Sequence, residues 1–357
     1  MTLVHIVETL GEAQTATLFG LITGLLFGVA AQRSRFCLRA ATVSFARGQW
    51  DDRVAVWLLT FSTAVIWVQT ADLAGFLHAE DARIMAVPGS WSGAILGGLM
   101  FGAGMVLARG CSGRLLVLAA TGNLRALVSG LIFAVVAQMA LSGVLSKPRD
   151  FLAQLWITEG GRNLDALTAL SLPPGSGMWL GFLCAGIALI LSYRNKIGLQ
   201  RLFFASGVGF SVAVGWGLTH ALSRVSFDPV QIESATFTGP SAHTLMFFLE
   251  RNTVLEFDIG LVPGVFLGAF LAAIVNREFR FEGYQGVAPM RRAILGAALM
   301  GFGGMLAGGC AIGAGVTGGS IFAATALCAL LFMWIGAILT DLLFDQQSDD
   351  CPQTATQ

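Results

Sequence analysis

Charge is the first thing this chain lacks. Asp, Glu, Lys and Arg make up 12% of its 357 residues, against about a quarter in an ordinary soluble domain. The few charges balance, with 21 basic and 21 acidic residues, so no net field draws in nucleic acid. Only four histidines are present, and the six cysteines, at 37, 111, 184, 310, 328 and 351, form no Cys-x-x-Cys and no Cys/His ligand spacing. That pattern argues against a disulfide framework and a zinc site, and no metal or other cofactor is expected. No basic region precedes the first apolar run of MTLVHIVETLGEAQTATLFG, unlike a cleaved signal peptide. A ladder of intramembrane carboxylates is also missing, so no proton or sodium relay is evident.

Apolar residues and glycine fill the space instead. Hydrophobic residues account for 55% of the chain, and 45 glycines, about 13%, are nearly twice the usual share. A spanning helix needs about 20 apolar residues, and runs of that kind recur at roughly 16–32, 54–75, 91–108, 123–145, 177–193, 202–220, 254–276, 293–309 and 319–344. The expected architecture is an all-α polytopic membrane protein with about nine transmembrane helices. Several runs are short for a full crossing, so half-helices should accompany them. Glycine at this density lets helices approach closely and lets the backbone break. The long connections are 146–176 and 221–253, the second containing Phe227-Asp228-Pro229.

One segment occurs twice. Residues 94–111, AILGGLMFGAGMVLARGC, return 199 positions later as residues 293–310, AILGAALMGFGGMLAGGC, with ten of eighteen positions identical. Both copies end on Gly-Cys. A repeat at this distance in an apolar chain points to a doubled membrane fold, one transport domain over 1–357 with pseudo-repeats at roughly 16–145 and 202–344 and a polar tail at 345–357. Lys and Arg set the direction of the copies. With the N-terminus outside, the loops 33–53, 109–125, 194–201 and 277–292 face inward and hold 15 basic residues, while 76–90, 146–176 and 221–253 hold 6. The bias predicts an outer N-terminus and a cytoplasmic C-terminus. The third span then descends to Cys111 and the eighth ascends to Cys310, the arrangement of an inverted-topology repeat.

Three cysteines share one setting, an apolar run with glycines at helical spacing followed by a polar or glycine-rich break. Gly20, Gly24 and Gly28 lead into Arg33-Ser34-Arg35-Phe36-Cys37; Gly98, Gly102 and Gly104 into Arg109-Gly110-Cys111-Ser112-Gly113; Gly301, Gly303 and Gly304 into Gly308-Gly309-Cys310. Helix breaks at membrane depth are tolerated where they line a cavity, and a half-helix start offers free N–H groups to an anion. Cys37, Cys111 and Cys310, with Arg109, Gly110, Ser112 and Gly309 beside them, are the candidate solute-binding residues. Cys184 and Cys328 sit inside continuous apolar runs and read as small core residues, and Cys351 lies in the tail. Arg114, Arg33, Arg35 and Arg39 read as ordinary positive-inside residues. Asp72, His220, Glu256, Asp258 and Asp341 lie near span ends and read as interfacial.

At these motifs the chain resembles the YeeE/YedE family of sulfur-transport membrane proteins. The resemblance rests on Arg33-Ser34-Arg35-Phe36-Cys37-Leu38, on Ala108 to Leu116 with Thr121-Gly122-Asn123-Leu124, and on Ala307-Gly308-Gly309-Cys310-Ala311-Ile312-Gly313-Ala314-Gly315, and extends over roughly 16–344. It implies an hourglass of helices around a narrow route in a bacterial plasma membrane, through which thiosulfate passes inward between the thiols of Cys310, Cys111 and Cys37. It also implies a small cytoplasmic sulfur carrier of the TusA type as partner, beside the lipid bilayer. Thiosulfate is a dianion with a soft terminal sulfur, and an uncharged thiol is a weak donor suited to transient binding. Ala311 and Ala314 depart from the family pattern, which has more polar residues there. The reading is therefore a transporter and not an enzyme. The alternative is a membrane thiol oxidoreductase or sulfurtransferase forming persulfides at Cys111, which no Cys-x-x-Cys supports with a resolving thiol.

Overall fold

The computed structural model describes residues 3–173, 175–227, 229–251, 254–283 and 286–344; Asp228 and the tail with Cys351 lie outside the described residues. Those described are helical, with three isolated bridges and no strand. In chain order the helices of eight or more residues are α1 (Leu3–Leu10), α2 (Glu12–Ser34), α3 (Leu38–Ala46), α4 (Asp52–Leu73), α5 (Trp91–Leu107), α6 (Ser112–Ala120), α7 (Leu124–Leu141), α8 (Ser146–Gln154), α9 (Ser176–Arg194), α10 (Leu199–Ser223), α11 (Thr238–Leu249), α12 (Phe257–Val275), α13 (Val287–Leu306) and α14 (Ala324–Phe344). A π-helical turn, Gly313–Gly318, precedes α14. Eight described stretches are long and apolar enough to cross a membrane. The ninth long helix, α13, falls outside that set because Arg291 and Arg292 stand near its start. Each of the nine long helices coincides with one expected apolar run. The chain is a multi-pass membrane protein.

The packing follows an exchange rule. α2 packs on α12 while α10 packs on α4, and α5 packs on α14 while α13 packs on α7; α2 also meets α10, and α5 meets α13. Swapping α2 with α10, α4 with α12, α5 with α13 and α7 with α14 leaves these pairings unchanged. α9 stands apart, against α4. The α2–α12 seam shows why glycine is placed as it is. A Cβ on Gly20 would lie 2.0 Å from the Phe257 carbonyl oxygen, and one on Gly260 1.9 Å from that of Thr17. Only backbone against backbone fits there, as in close helix pairs within lipid, where small residues replace the hydrophobic effect as the means of association.

Loops gather at two faces. On one, Asn123 bridges Glu282, Arg201 pairs with Asp52, and Arg47 grips buried Asp341 through two bonds of 3.1 and 3.2 Å. This face carries residues 35–51, 109–123, 277–283 and 286–292. On the other, Ser90 bridges Ile157, Asp165 bridges Ala323 and Arg83 N–H donates to the Ile232 carbonyl. Asp341, expected at an interface, is instead fully buried, because the Arg47 guanidinium comes to it from the end of α3.

Candidate functional site

All three expected cysteine breaks exist, and each is built the same way. α2, α5 and α13 end in a residue of left-handed conformation, Arg35 (φ 55°), Arg109 (φ 57°) and Gly308 (φ 75°). The next N–H in each case turns back to a carbonyl of the last turn: Phe36 to Ala31, Gly110 to Met105, Gly309 to Gly304. This terminates the helix and satisfies its last carbonyls. The chain then restarts at the cysteine. Cys37 stands at the N-cap of α3 and Cys111 at the N-cap of α6, while Cys310 precedes the π turn, where i→i+5 geometry is a frequent mark of function.

Cys37 and Cys111 come together. Their thiols lie close enough to act on one another, with the N–H groups of Leu38 and Arg114 near the Cys111 sulfur and that of Ala40 near Cys37. The N-termini of α3 and α6 therefore meet head to head at a pair of free thiols. Cys310 lies elsewhere and is wholly buried. Its sulfur accepts from the N–H of Phe237 (3.3 Å) and of Gly313 (3.4 Å), with the Thr236 hydroxyl at 3.9 Å. Phe237 is the N-cap of α11, so under the exchange of halves it stands where Cys37 stands in the first half. The two centres touch through one glycine. A Cβ on Gly113, two residues beyond Cys111, would meet the Phe237 ring at 3.1 Å and Ile312 at 3.5 Å; both side chains are fully buried. Phe237 also leans edge-on against Phe27, 5.1 Å between ring centroids.

Above Cys310 opens a cavity of about 270 Å³ toward the face of Arg83 and Ser90; Thr236 and Gly313 line it and touch the cysteine below. Around both centres, buried polar atoms stand without a partner: the Trp216 indole N–H in the cavity wall, Ser112 Oγ and Arg114 Nη1 beside Cys111, and Thr238 Oγ1 one residue after Phe237. Leaving a buried donor unpaired costs about 1–3 kcal/mol. All four atoms can donate, so the interior is short of acceptors, which is the deficit an anion fills.

The other candidates are placed as follows. Ser112 and Gly110 are buried at the Cys111 break, and Gly309 at the Cys310 break. Arg109 is exposed and lines a separate small cavity with Arg125 and Arg292. Its left-handed backbone turns the side chain out to the loop face, whereas Arg114, one turn into α6, stays inside near both thiols. Sequence spacing alone did not separate the two arginines. Cys184 and Cys328 are partly buried and apart from both centres. Among the described residues no cluster could hold a metal ion.

Asp258, which sequence reasoning placed at an interface, lies instead in a carboxylate cluster beside the cavity with Glu233, which that reasoning did not single out. Asp258 is buried and bonded to His243 at 2.9 Å, and Glu233 is paired with Arg83 at 3.4 Å. Burial, then the charges of Asp258 and Glu256, push Glu233 up to about 8 against the opposing pull of Arg83. The hydrogen bond to Asp258 raises His243 above its ordinary range. Asp258 is buried because the start of α12 packs against α11, a contact that an apolar-run reading does not register.

Comparison with known proteins adds two findings. A family profile described as sulphur transport matches residues 33–339, most of the chain. The thiosulfate transporter TsuA of Escherichia coli (strain K12) is 28% identical, over 89% of this chain and 92% of its own length. The thiosulfate transporter TsuA of Spirochaeta thermophila is 26% identical, over 89% of this chain and 96% of its own.

Proposed function

The chain belongs to the sulphur transport family, and from that premise we propose that it takes up thiosulfate or a closely related sulfur anion through a route lined by Cys310, Cys111 and Cys37. The observation that carries this reading is the set of acceptor-less buried donors arranged around three thiols at helix breaks. The anion enters the cavity over Cys310, passes the Phe237–Ile312–Gly113 contact, and reaches the Cys37–Cys111 pair beside Arg114. Each station offers weak donors: a thiol, a hydroxyl, and N–H groups at the starts of α3, α6 and α11. Weak successive sites allow release as well as capture, and a soft terminal sulfur suits a thiol partner. Arg114, with Arg39 acting on Cys37 as well, supplies fixed positive charge beside the thiol pair, which lowers the electrostatic penalty of a dianion in a dry interior.

Two further parts of the reading rest on the same frame. The exchange rule in the packing supports two antiparallel halves, roughly 16–145 and 202–344, within one transport unit. The excess of Lys and Arg on the face of 35–51 and 277–292 supports that face as cytoplasmic, with the N-terminus outside; a small sulfur-carrier protein of the TusA type would meet the solute there. Moving a dianion inward against a potential of 100 mV costs about 4.6 kcal/mol, at about 2.3 per charge, which an inward thiosulfate gradient, kept up by consumption of the anion inside, would supply.

The test is uptake of labelled thiosulfate in cells lacking other sulfur uptake, with unlabelled sulfate, sulfite and selenite as competitors. Preferential competition by thiosulfate itself supports the reading, and uptake no greater than in cells without the protein refutes it. A second reading, sulfur transfer through a Cys111 persulfide, gains one observation: Cys37 lies beside Cys111 as a resolving thiol that no local motif revealed. Intact mass after exposure to thiosulfate separates the two, since a retained sulfur adduct favours transfer and an unchanged mass favours passage.

A further inference from the structure

The reading of the cavity over Cys310 as the inlet for an anion leaves Glu233 unexplained. A carboxylate on the wall of an anion's path repels its cargo unless something neutralises it. Glu233 lines that cavity and also a second one behind it, of about 610 Å³, which it shares with Arg83, His243, Glu250, Glu256 and Asp258. Its side chain is 12% exposed, and its partner is Arg83, 3.4 Å away. Arg83 lines both cavities and is itself nearly half exposed. From α12, Asp258 and Glu256 face Glu233 with negative charge, and His243 of α11 stands behind Asp258. From α10 come Thr219, whose hydroxyl meets the Glu233 backbone, and Trp216; the neighbouring His220 meets His78 edge-to-face instead.

Two unpartnered groups mark where a ligand belongs. The Trp216 indole N–H, on a residue 2% exposed, has no acceptor in the inlet wall. Asp258 Oδ1, on a residue 3% exposed, has no donor in the second cavity. The first calls for an anion and the second for a proton donor, and Glu233 with Arg83 stands between them.

We propose that anion binding in the inlet is linked to a proton on Glu233, which frees Arg83 from its ion pair to face the anion together with the Trp216 N–H. With Glu233 ionised, Arg83 is held and the carboxylate opposes a dianion across a short, poorly solvated gap. With Glu233 protonated, both obstacles go, and the neutral carboxyl becomes a donor toward Asp258 Oδ1. The proton comes from the water of the inlet, and no covalent step is involved. Linkage is reciprocal: a bound dianion raises the proton affinity of Glu233 by the same factor by which the proton raises the affinity for the anion. Because Glu233 already stands near 8 without the anion, the sign is definite. Below about pH 7 the group is protonated in both states, so affinity is flat and no proton is taken up. As pH rises through about 8, affinity falls and each binding event takes up a proton.

The inference rests on the transport reading, and calorimetric titration of the purified full chain with thiosulfate, in pairs of buffers of different ionisation enthalpy, separates the two. The wild type should show affinity falling severalfold from about pH 7 to about pH 9, with net proton uptake approaching one per anion. Glu233→Gln should give pH-independent affinity and no proton uptake, and this distinguishes the carboxyl from every other titrating group. Asp258→Asn removes a negative neighbour and should move the midpoint to lower pH, a shift that a merely structural role would not produce. Flat wild-type affinity over this range, or proton uptake retained in Glu233→Gln, overturns the linkage while leaving transport intact. Absence of thiosulfate binding at every pH overturns the transport reading and the linkage with it.

Discussion

Gly113→Ala adds one methyl group at the place where the Cys37–Cys111 pair and Cys310 adjoin. The new carbon lands 3.1 Å from one edge atom of the Phe237 ring, 3.3 Å from another and 3.5 Å from Ile312, so the ring must retreat by a few tenths of an ångström. Phe237 retreats toward Phe27, which it already meets edge-on. Overpacking of this kind costs about 1–3 kcal/mol. The methyl also narrows the gap between α6 and the Phe237 ring that the anion has to cross; with the same 1–3 kcal/mol added to that barrier, at about 1.4 kcal/mol per decade the rate falls about 5- to 150-fold. Neither thiol centre is touched, and Gly113 has an ordinary helical backbone within α6, so the fold tolerates alanine. Initial uptake of labelled thiosulfate into proteoliposomes, normalised to reconstituted protein, measures the effect. The double variant Gly113→Ala/Phe237→Ala keeps the backbone N–H that caps the Cys310 sulfur and removes the ring, so it should recover much of the rate. Unchanged uptake in the single variant, or no recovery in the double, refutes the placing of the route at this contact.

Two further predictions follow from side-chain placement. Arg114→Gln should weaken thiosulfate uptake by about 10- to 150-fold, the loss of a charge-assisted hydrogen bond worth about 1.5–3 kcal/mol, whereas Arg109→Gln should change it little; equal effects would contradict the separation of the two arginines. Gly260→Ala should destabilise the protein by at least the upper end of the overpacking range, about 3 kcal/mol, because its Cβ would fall 1.9 Å from the Thr17 carbonyl oxygen. Gly217→Ala, where nothing lies within 4 Å, is the control, and similar unfolding midpoints in detergent would contradict the tight α2–α12 seam.

Much of this arrangement was legible before any coordinates. The nine apolar runs became nine long helices within a few residues, because the length of a run in lipid admits few alternatives. The Gly-Cys ends of the repeat became helix breaks, since glycine and the left-handed residues beside it terminate α5 and α13 in the same way. What stayed hidden depends on contacts across the fold. Cys37 meets Cys111 from 74 positions away, and no local spacing announces it. Phe237 occupies the counterpart of Cys37 in a segment that matches 33–38 only at Ser34 and Ser234, so only the packing reveals the equivalence. Asp258 looked interfacial and Glu233 drew no notice, because their burial depends on contacts, of α10 with Glu233 and of α11 with α12, that no apolar run marks. Arg109 and Arg114 flank the same cysteine, and only the helix restart between them decides which faces inward.

The central claim is that the three thiols form the anion's path. Its most direct measurement is initial uptake of labelled thiosulfate into proteoliposomes containing wild type, Cys111→Ala, Cys310→Ala or Cys184→Ala, each verified as folded and equally reconstituted. The account predicts that uptake collapses in Cys111→Ala and in Cys310→Ala while Cys184→Ala retains it. Wild-type rates in both Cys111→Ala and Cys310→Ala would contradict it.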